Sequence, residues 1–300
     1  MKIAIASGKG GTGKTTIATN LALSLVDTGT SVQILDCDVE EPNCHIFLKP
    51  EIEKSEPVTV AIPEVIEEKC TGCGVCADVC EFSAIAVVKG KVLIFPELCH
   101  SCGACTLFCP EGAFREVPRE IGVVEEGRAE GIAFIQGLLN IGELMSPAVI
   151  GAVKKAGGEA DVLIIDSPPG TSCPVIEAVK DADLVLLVTE PTPFGLNDLE
   201  LAVGMVRELG IPFAVGINRS DVGNDDVKKY CRRERIEIVL EIPDDRRIAE
   251  AYSRGEMVVR ALPEYGKVFE DCWARVVDLR NRVTRTVQPP GENSNGRIVW

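Results

Sequence analysis

Eight of the thirteen cysteines in this 300-residue chain lie between Cys70 and Cys109. They form two groups, Cys70, Cys73, Cys76 and Cys80, then Cys99, Cys102, Cys105 and Cys109, each spaced C-x2-C-x2-C-x3-C. Gly74 and Ala84 recur as Gly103 and Ala113, so the segment is an internal duplication with a step of 29 residues. Three thiolates at two-residue gaps wrap one corner of an iron–sulfur cubane. The fourth, on a short helical turn, points away to a second cluster. The spacing predicts one [4Fe-4S] cluster on Cys70, Cys73, Cys76 and Cys109, and another on Cys99, Cys102, Cys105 and Cys80. Zinc fits less well, because its sites usually come as two pairs with a longer gap. Disulfides fit less well because the opening MKIAIASGKGGTGKTT does not read as an export signal.

Residues 64–118 resemble bacterial-type two-cluster ferredoxins. Cys109 is followed by Pro110 as in that pattern, whereas Cys80 is followed by Glu81. The departure bears on the surroundings of a cluster and removes no ligand. Between the groups, Ile85–Val88, Lys89-Gly90 and Lys91–Phe95 read as a β-hairpin.

A second chemistry lies at the start of the chain. The apolar run KIAIA at residues 2–6 leads into Gly8-Lys9-Gly10-Gly11-Thr12-Gly13-Lys14-Thr15, with a helical stretch from Thr16 to Asp27. This is G-x4-G-K-[ST] in its strand–loop–helix setting. Such a loop turns backbone N–H groups toward phosphates at a helix N-terminus, which adds positive potential. Lys14 is expected at the β- and γ-phosphates and the Thr15 hydroxyl on Mg²⁺. The alternative is a glycine-rich turn with no ligand.

The early Lys9 makes GKGGTGKTT similar to the deviant Walker A motif of the MinD, ParA and Mrp ATPases and the nitrogenase iron protein. The resemblance covers about residues 1–284, as a MinD/Mrp-like P-loop ATPase with an inserted ferredoxin domain. It implies that Gly8, Gly10, Gly11, Thr12, Gly13, Lys14, Thr15 and Thr16 bind ATP, and that Lys9 reaches the partner's nucleotide in an ATP-dependent homodimer. It implies that Asp38 orients the attacking water, that Asp36 lies near Mg²⁺, that Asp166 holds a Mg²⁺-bound water, and that Gly170 senses the γ-phosphate. It also places Asn218 at the adenine, with Pro243 and Asp244 beside it through their backbone. For each lone Asp or Asn, a helix cap or turn is the commoner role.

These residues need a scaffold. Apolar strand runs, among them Val32–Leu35, Val162–Ile165, Leu184–Val188 and Phe213–Ile217, alternate with helical stretches over 1–63 and 119–284. That is an α/β, doubly wound, mainly parallel sheet, whose ligands bind at the C-terminal ends of strands. The expected organisation is a P-loop ATPase domain over 1–63 and 119–284, an inserted α+β ferredoxin module over 64–118, and a disordered tail over 285–300. Val123–Ile135 should resume the ATPase domain, and 264–284 should be a last helix packed on the core.

Composition narrows the function. Lys plus Arg is 31 against Asp plus Glu 46, a net charge of −15, which disfavours nucleic acid and anionic membrane surfaces. No apolar run reaches about 18 residues, so no span or membrane insertion is expected. The tail lacks the basic amphipathic helix of MinD, and the later part of the chain lacks the C-x-x-C pair of Mrp-type carriers. The chain is expected in the cytoplasm. Cys37, Cys44, Cys231 and Cys272 read as buried apolar residues. Cys173, seven residues after Asp166, has the further alternative of an inter-subunit metal or cluster role. His45 and His100 have no ligand company.

Three functions follow. The favoured one is an ATPase that couples nucleotide state to electron transfer or metallocluster assembly on a partner protein. The second is a MinD/ParA-type positioning switch with redox-sensing clusters. The third is a ferredoxin-like electron carrier with a regulatory nucleotide domain.

Overall fold

The computed structural model describes residues 1–287. In chain order its elements are β1 (Lys2–Ala6), α1 (Lys14–Asp27), β2 (Val32–Asp36), α2 (Cys44–Leu48), β3 (Glu51–Val65), α3 (Val75–Asp78), β4 (Ile85–Val88), β5 (Lys91–Ile94), α4 (Ala104–Leu107), β6 (Phe114–Ala129) and β7 (Ile132–Leu139). There follow α5 (Ser146–Ala156), β8 (Val162–Asp166), α6 (Cys173–Val179), β9 (Leu184–Thr189), α7 (Pro193–Glu208), β10 (Phe213–Asn218), α8 (Asp226–Glu234), β11 (Ile238–Ile242), α9 (Arg246–Ser253), α10 (Val258–Ala261) and α11 (Gly266–Val287).

Nine strands form one sheet in the order β11-β10-β9-β1-β8-β2-β7-β6-β3. From β11 to β7 every pairing is parallel, while β7–β6 and β6–β3 are antiparallel. The fold is therefore the expected mainly parallel α/β sheet. The parallel strands are apolar throughout because helices cover both faces. In β1, Ile3 and Ile5 enter the core shared with α1, α10 and α11, whereas Ala4 and Ala6 enter the core shared with α5, α6, α7 and α8.

The strand order reverses around β1 and β8. The loops leaving β1, β2 and β8 meet there, at the position where open α/β sheets bind ligands. That geometry brings together residues far apart in sequence.

Strands β3 and β6 form a long antiparallel arm, paired from Glu51↔Arg128 to Val65↔Phe114. Most of β3 is solvent-exposed, and its outer edge carries Lys54 and Pro57, which discourage further strand pairing. Residues 66–113 sit at the end of the arm. They hold the predicted hairpin, β4–β5, closed by Lys89 and Gly90 at positive φ. The expected junctions at 63/64 and 118/119 fall inside the β3–β6 ladder, since Pro63 pairs with Glu116 and Ala61 with Pro118.

Helix α11 buries Phe269, Cys272 and Val276 against the core. Residues 285–287, expected in the tail, continue this helix. The rest of the expected disordered tail, 288–300, lies outside the described residues.

Candidate functional site

The glycine-rich loop leaves the C-terminal end of β1 and enters α1 at Lys14. Gly13 takes φ 95°, and a Cβ there would lie 2.6 Å from Asn218 Nδ2, so both backbone angle and space demand glycine. Asn218, at the end of β10, donates from Nδ2 to the Thr12 carbonyl at 3.0 Å and clamps the loop from behind.

A cavity of about 410 Å³ opens over the loop. It gathers Gly10, Gly11, Gly13, Lys14, Thr15, Thr16, Asp38, Asn218, Pro243 and Asp244 from the predicted set. Four other predicted residues support the loop without lining this cavity. Gly8 packs so tightly on α7 that a Cβ would sit 2.2 Å from the Asp198 carbonyl oxygen. Lys9 pairs with Glu190 at 3.4 Å within its own chain. Thr12 buries its Oγ1, which has no hydrogen-bond partner among the described residues. Gly170 donates its N–H to the Ser7 carbonyl at 2.9 Å.

Asp36 and Asp166 lie behind Thr15, on the ends of β2 and β8. The Thr15 hydroxyl donates to Asp166 Oδ2 at 2.6 Å. Asp36 accepts the N–H groups of Asp38, Asn43 and Cys44 at 3.0–3.1 Å, which fixes the loop after β2. Burial, with the Asp166 charge adding to it, pushes the Asp36 carboxyl up to about 8. Burial likewise raises Asp166, against the opposing pull of Thr15 and Lys14. Asp166 Oδ1 is buried with no hydrogen-bond partner among the described residues. Two buried carboxylates, an orphaned oxygen and an adjacent hydroxyl are the donor set a hard divalent cation requires, so the residues fit Mg²⁺.

Burial also lowers the Lys14 ammonium, opposed by Asp166, Asp38 and Asp36. Asp38 lines the cavity, and burial raises its carboxyl to about 6 despite Lys14.

Sequence reasoning missed two parts of this site. Tyr252, Tyr265, Phe269, Ile248 and Val258 form an apolar wall beside Pro243 and Asp244. They come from α9 to α11 and the turn before α11, and no short motif joins them. Cys44 is buried as expected, yet its Sγ lies 3.4 Å from Asp166 Oδ2. Its position eight residues after Asp36 was the available signal.

The eight clustered cysteines sort into two small cavities. Cys70, Cys73, Cys76 and Cys109 line one, and Cys80, Cys99, Cys102 and Cys105 line the other. Each group thus exchanges its fourth cysteine with the other. The duplication persists in the hydrogen bonds: Ala84 N–H donates to Cys80 Sγ and Ala113 N–H to Cys109 Sγ, both at 3.3 Å. Among the described residues, no three of these sulfurs lie within 4.8 Å of one another. A tetrahedral zinc with 2.3 Å bonds would draw its sulfurs to roughly 3.8 Å.

The local core is correspondingly small, with Cys76, Ile85, Cys105 and Phe114 as its buried members. A segment with so little apolar burial needs internal staples. Four sulfurs per cavity are a donor set that fits an iron–sulfur cluster.

The other cysteines and histidines separate by environment. Cys37, Cys231 and Cys272 are buried and Cys173 is exposed at the start of α6. His100 stacks on Phe82 with centroids 3.8 Å apart, while His45 buries its Nδ1. Among the described residues no helix is long and apolar enough to cross a membrane.

Known proteins match this arrangement. The family model for the CobQ/CobB/MinD/ParA nucleotide binding domain matches residues 3–259. An uncharacterized protein of Methanocaldococcus jannaschii is 38% identical over 226 residues, covering 75% of this chain and 80% of that one. The iron-sulfur cluster carrier protein of Pyrococcus abyssi is 27% identical over 276 residues, covering 86% of this chain and 79% of that one. Among solved structures, the septum site-determining protein MinD of Pyrococcus horikoshii, complexed with Mg-ADP, superimposes with a TM-score of 0.58 at 20% identity. That match covers 93% of this chain and 96% of that one. With the loop, its carboxylates and the sheet that carries them all accounted for, this chain belongs to the CobQ/CobB/MinD/ParA nucleotide-binding family.

Proposed function

We propose that this chain is a Mg²⁺-dependent ATPase that carries two [4Fe-4S] clusters and couples its nucleotide state to electron transfer or metallocluster assembly on a partner protein. The observation that carries the proposal is the crossed sorting of eight cysteines into two four-sulfur cavities on an arm of the same sheet that holds the glycine-rich loop. Homology to iron-sulfur cluster carrier proteins supports it.

The residues divide the work. The loop N–H groups and Lys14 bind the phosphates, and the α1 N-terminus adds positive potential. Thr15, Asp36 and Asp166 would hold Mg²⁺, which when bound neutralises charge on the phosphate oxygens. Asp38, ionised above about pH 6, orients the attacking water. The apolar wall and Asn218 receive the base. Lys9 serves the partner's nucleotide in an ATP-dependent homodimer, and that role requires its release from Glu190.

The two cysteine sets would hold the clusters, which supply one-electron chemistry. Their backbone donors, such as Ala84 and Ala113 N–H, favour the anionic sulfur ligands.

Anaerobic purification with iron, sulfide and ATPase assays tests the reading. Stoichiometric cluster content together with Mg²⁺-dependent hydrolysis supports it. A chain that holds zinc and no acid-labile sulfide refutes the cluster assignment. Clusters without hydrolysis would leave the electron-carrier reading.

A further inference from the structure

We propose that the Arg119–Glu143 ion pair positions the Cys80–Cys99–Cys102–Cys105 site relative to the loop after β2, so that nucleotide state biases that cluster and not the other. The inference rests on the reading above and names the residues through which it operates.

The pair stands out within the arm. Arg115 and Glu64, farther along the same ladder, form an ion pair whose side chains are 66% and 46% exposed. Arg119 and Glu143 are 17% and 10% exposed. Arg119 uses both terminal nitrogens, Nη1 toward Glu143 Oε1 and Nη2 toward Oε2 at 2.9 Å. A two-pronged, largely desolvated pair holds its geometry far better than a surface pair. The Arg119 Nε is buried and has no hydrogen-bond partner among the described residues.

Each member faces a different part of the molecule. Arg119 pairs with Val60 across the ladder, and the carbonyl of the next residue, Ala61, accepts the hydroxyl of Ser101 at 2.5 Å, between Cys99 and Cys102 in the segment at the end of the arm. Glu143 sits in the turn after β7 and donates its N–H to the Asn140 carbonyl at 3.1 Å. Asn140 in turn donates its N–H to Ile121, two residues from Arg119, at 2.9 Å. The preceding Leu139 donates its N–H to the carbonyl of Val39 at 2.9 Å. Val39 adjoins Asp38, which lines the phosphate end of the cavity. A shift of the loop after β2 is therefore transmitted through a few backbone bonds to the carboxylate that holds Arg119.

The second cysteine site lacks this connection. Neither cavity is lined by the 139–145 turn, but this one is lined by the end segment and by Phe114 at the tip of the arm, where Phe114 pairs with Val65, whereas Arg119 pairs with Val60. The cavity of the first site includes Ala61, Pro63 and Glu116 of the arm.

Charge gives the proposal a sign. Paired, Arg119 and Glu143 are nearly neutral toward Cys99. Removing the carboxylate leaves a bare cation that favours the reduced cluster. Removing the guanidinium leaves a bare anion that disfavours it.

The test is a potentiometric titration with dithionite, followed by EPR, of the full chain purified anaerobically with its clusters, with and without MgATP. Glu143→Gln should raise one of the two one-electron waves and Arg119→Gln should lower it. Each change should be about tenfold in the reduction equilibrium, or ~59 mV for a one-electron couple. The double variant should return near the parent, and the other wave should stay in place throughout. Arg119→Lys keeps the charge without the fork, so it should keep the basal potential and lose the MgATP response.

Equal movement of both waves, no movement of either, or an intact MgATP response in Arg119→Gln and Glu143→Gln would overturn the proposal. A parent whose waves ignore MgATP would defeat the coupled function itself, while the opposed shifts of the two variants would still report whether the pair faces the Cys99 site.

Discussion

The Thr15 hydroxyl and the Asp166 carboxylate meet at 2.6 Å although 151 residues separate them in sequence. One begins the helix after β1 and the other ends the neighbouring strand β8, so the parallel pairing of Ile5 with Asp166 sets their approach. The contact ties the glycine-rich loop to the strand that carries the second carboxylate and leaves the other oxygen, Oδ1, buried without a hydrogen-bond partner among the described residues.

Asp38→Ala is expected to lower ATP hydrolysis by about 10²-fold or more, the usual scale for a residue that positions a reacting proton. Nucleotide affinity, measured with a fluorescent ATP analogue, should change little. Equal hydrolysis in parent and variant would remove Asp38 from the reaction.

The pH dependence follows from burial. Asp38 titrates near 6, so hydrolysis should fall as pH drops through that value and level off above it. Stability without metal and nucleotide should move the other way. Asp36 and Asp38 bind protons more tightly when folded, so their contribution to the stability of the apo chain is fully present below the ordinary carboxylate value of 3.8. The apo chain loses stability as pH rises toward about 6 and about 8. Thermal melts from pH 4 to 8 should show this decline, and Asp36→Asn should flatten it.

The crossed cysteine sets predict an uncrossed loss. Cys109→Ser should remove the cluster shared with Cys70, Cys73 and Cys76 and spare the other, halving the bound iron. Cys80→Ser should do the reverse, so Cys109→Ser should lose the same EPR signal as Cys73→Ser, and Cys80→Ser the same signal as Cys102→Ser. Cys109→Ser losing the signal that Cys102→Ser loses would show that each sequence group keeps its own fourth cysteine.

Lys9 is held by Glu190 at 3.4 Å, and the lysine is one-third exposed. Glu190, which is mostly buried, also faces Arg219 Nη1 at 3.4 Å, so it keeps a cation when Lys9 leaves. Releasing Lys9 is therefore cheap, and Glu190→Gln should favour the ATP-bound dimer by only a few-fold in sedimentation equilibrium. Lys9→Ala should abolish the ATP-dependent dimer.

The sequence made the nucleotide-binding end of the fold legible for a physical reason. Residues such as Ile3, Ile5 and Ile164 sit in strands covered on both faces, so their segments read as unbroken apolar runs, and the loop motif follows the first of them. The cysteine spacing was equally readable because the same gaps occur twice, and the eight residues line two cavities as that spacing predicts.

The arm was not readable. Glu51–Pro57 carries Glu51, Glu53, Lys54 and Glu56 and faces solvent, so only the short run Val58–Ile62 reads as a strand and the length of the arm stays hidden. The base-side wall was hidden because Tyr252, Tyr265 and Phe269 converge only after α9 and α11 pack.

Coupling between nucleotide state and cluster state would show in an EPR-monitored redox titration of the anaerobically purified parent, with and without MgATP. MgATP should shift the potential or line shape of one cluster signal. Signals unchanged by MgATP while the same sample hydrolyses ATP would contradict it and leave the clusters as bystanders to a nucleotide-driven positioning switch.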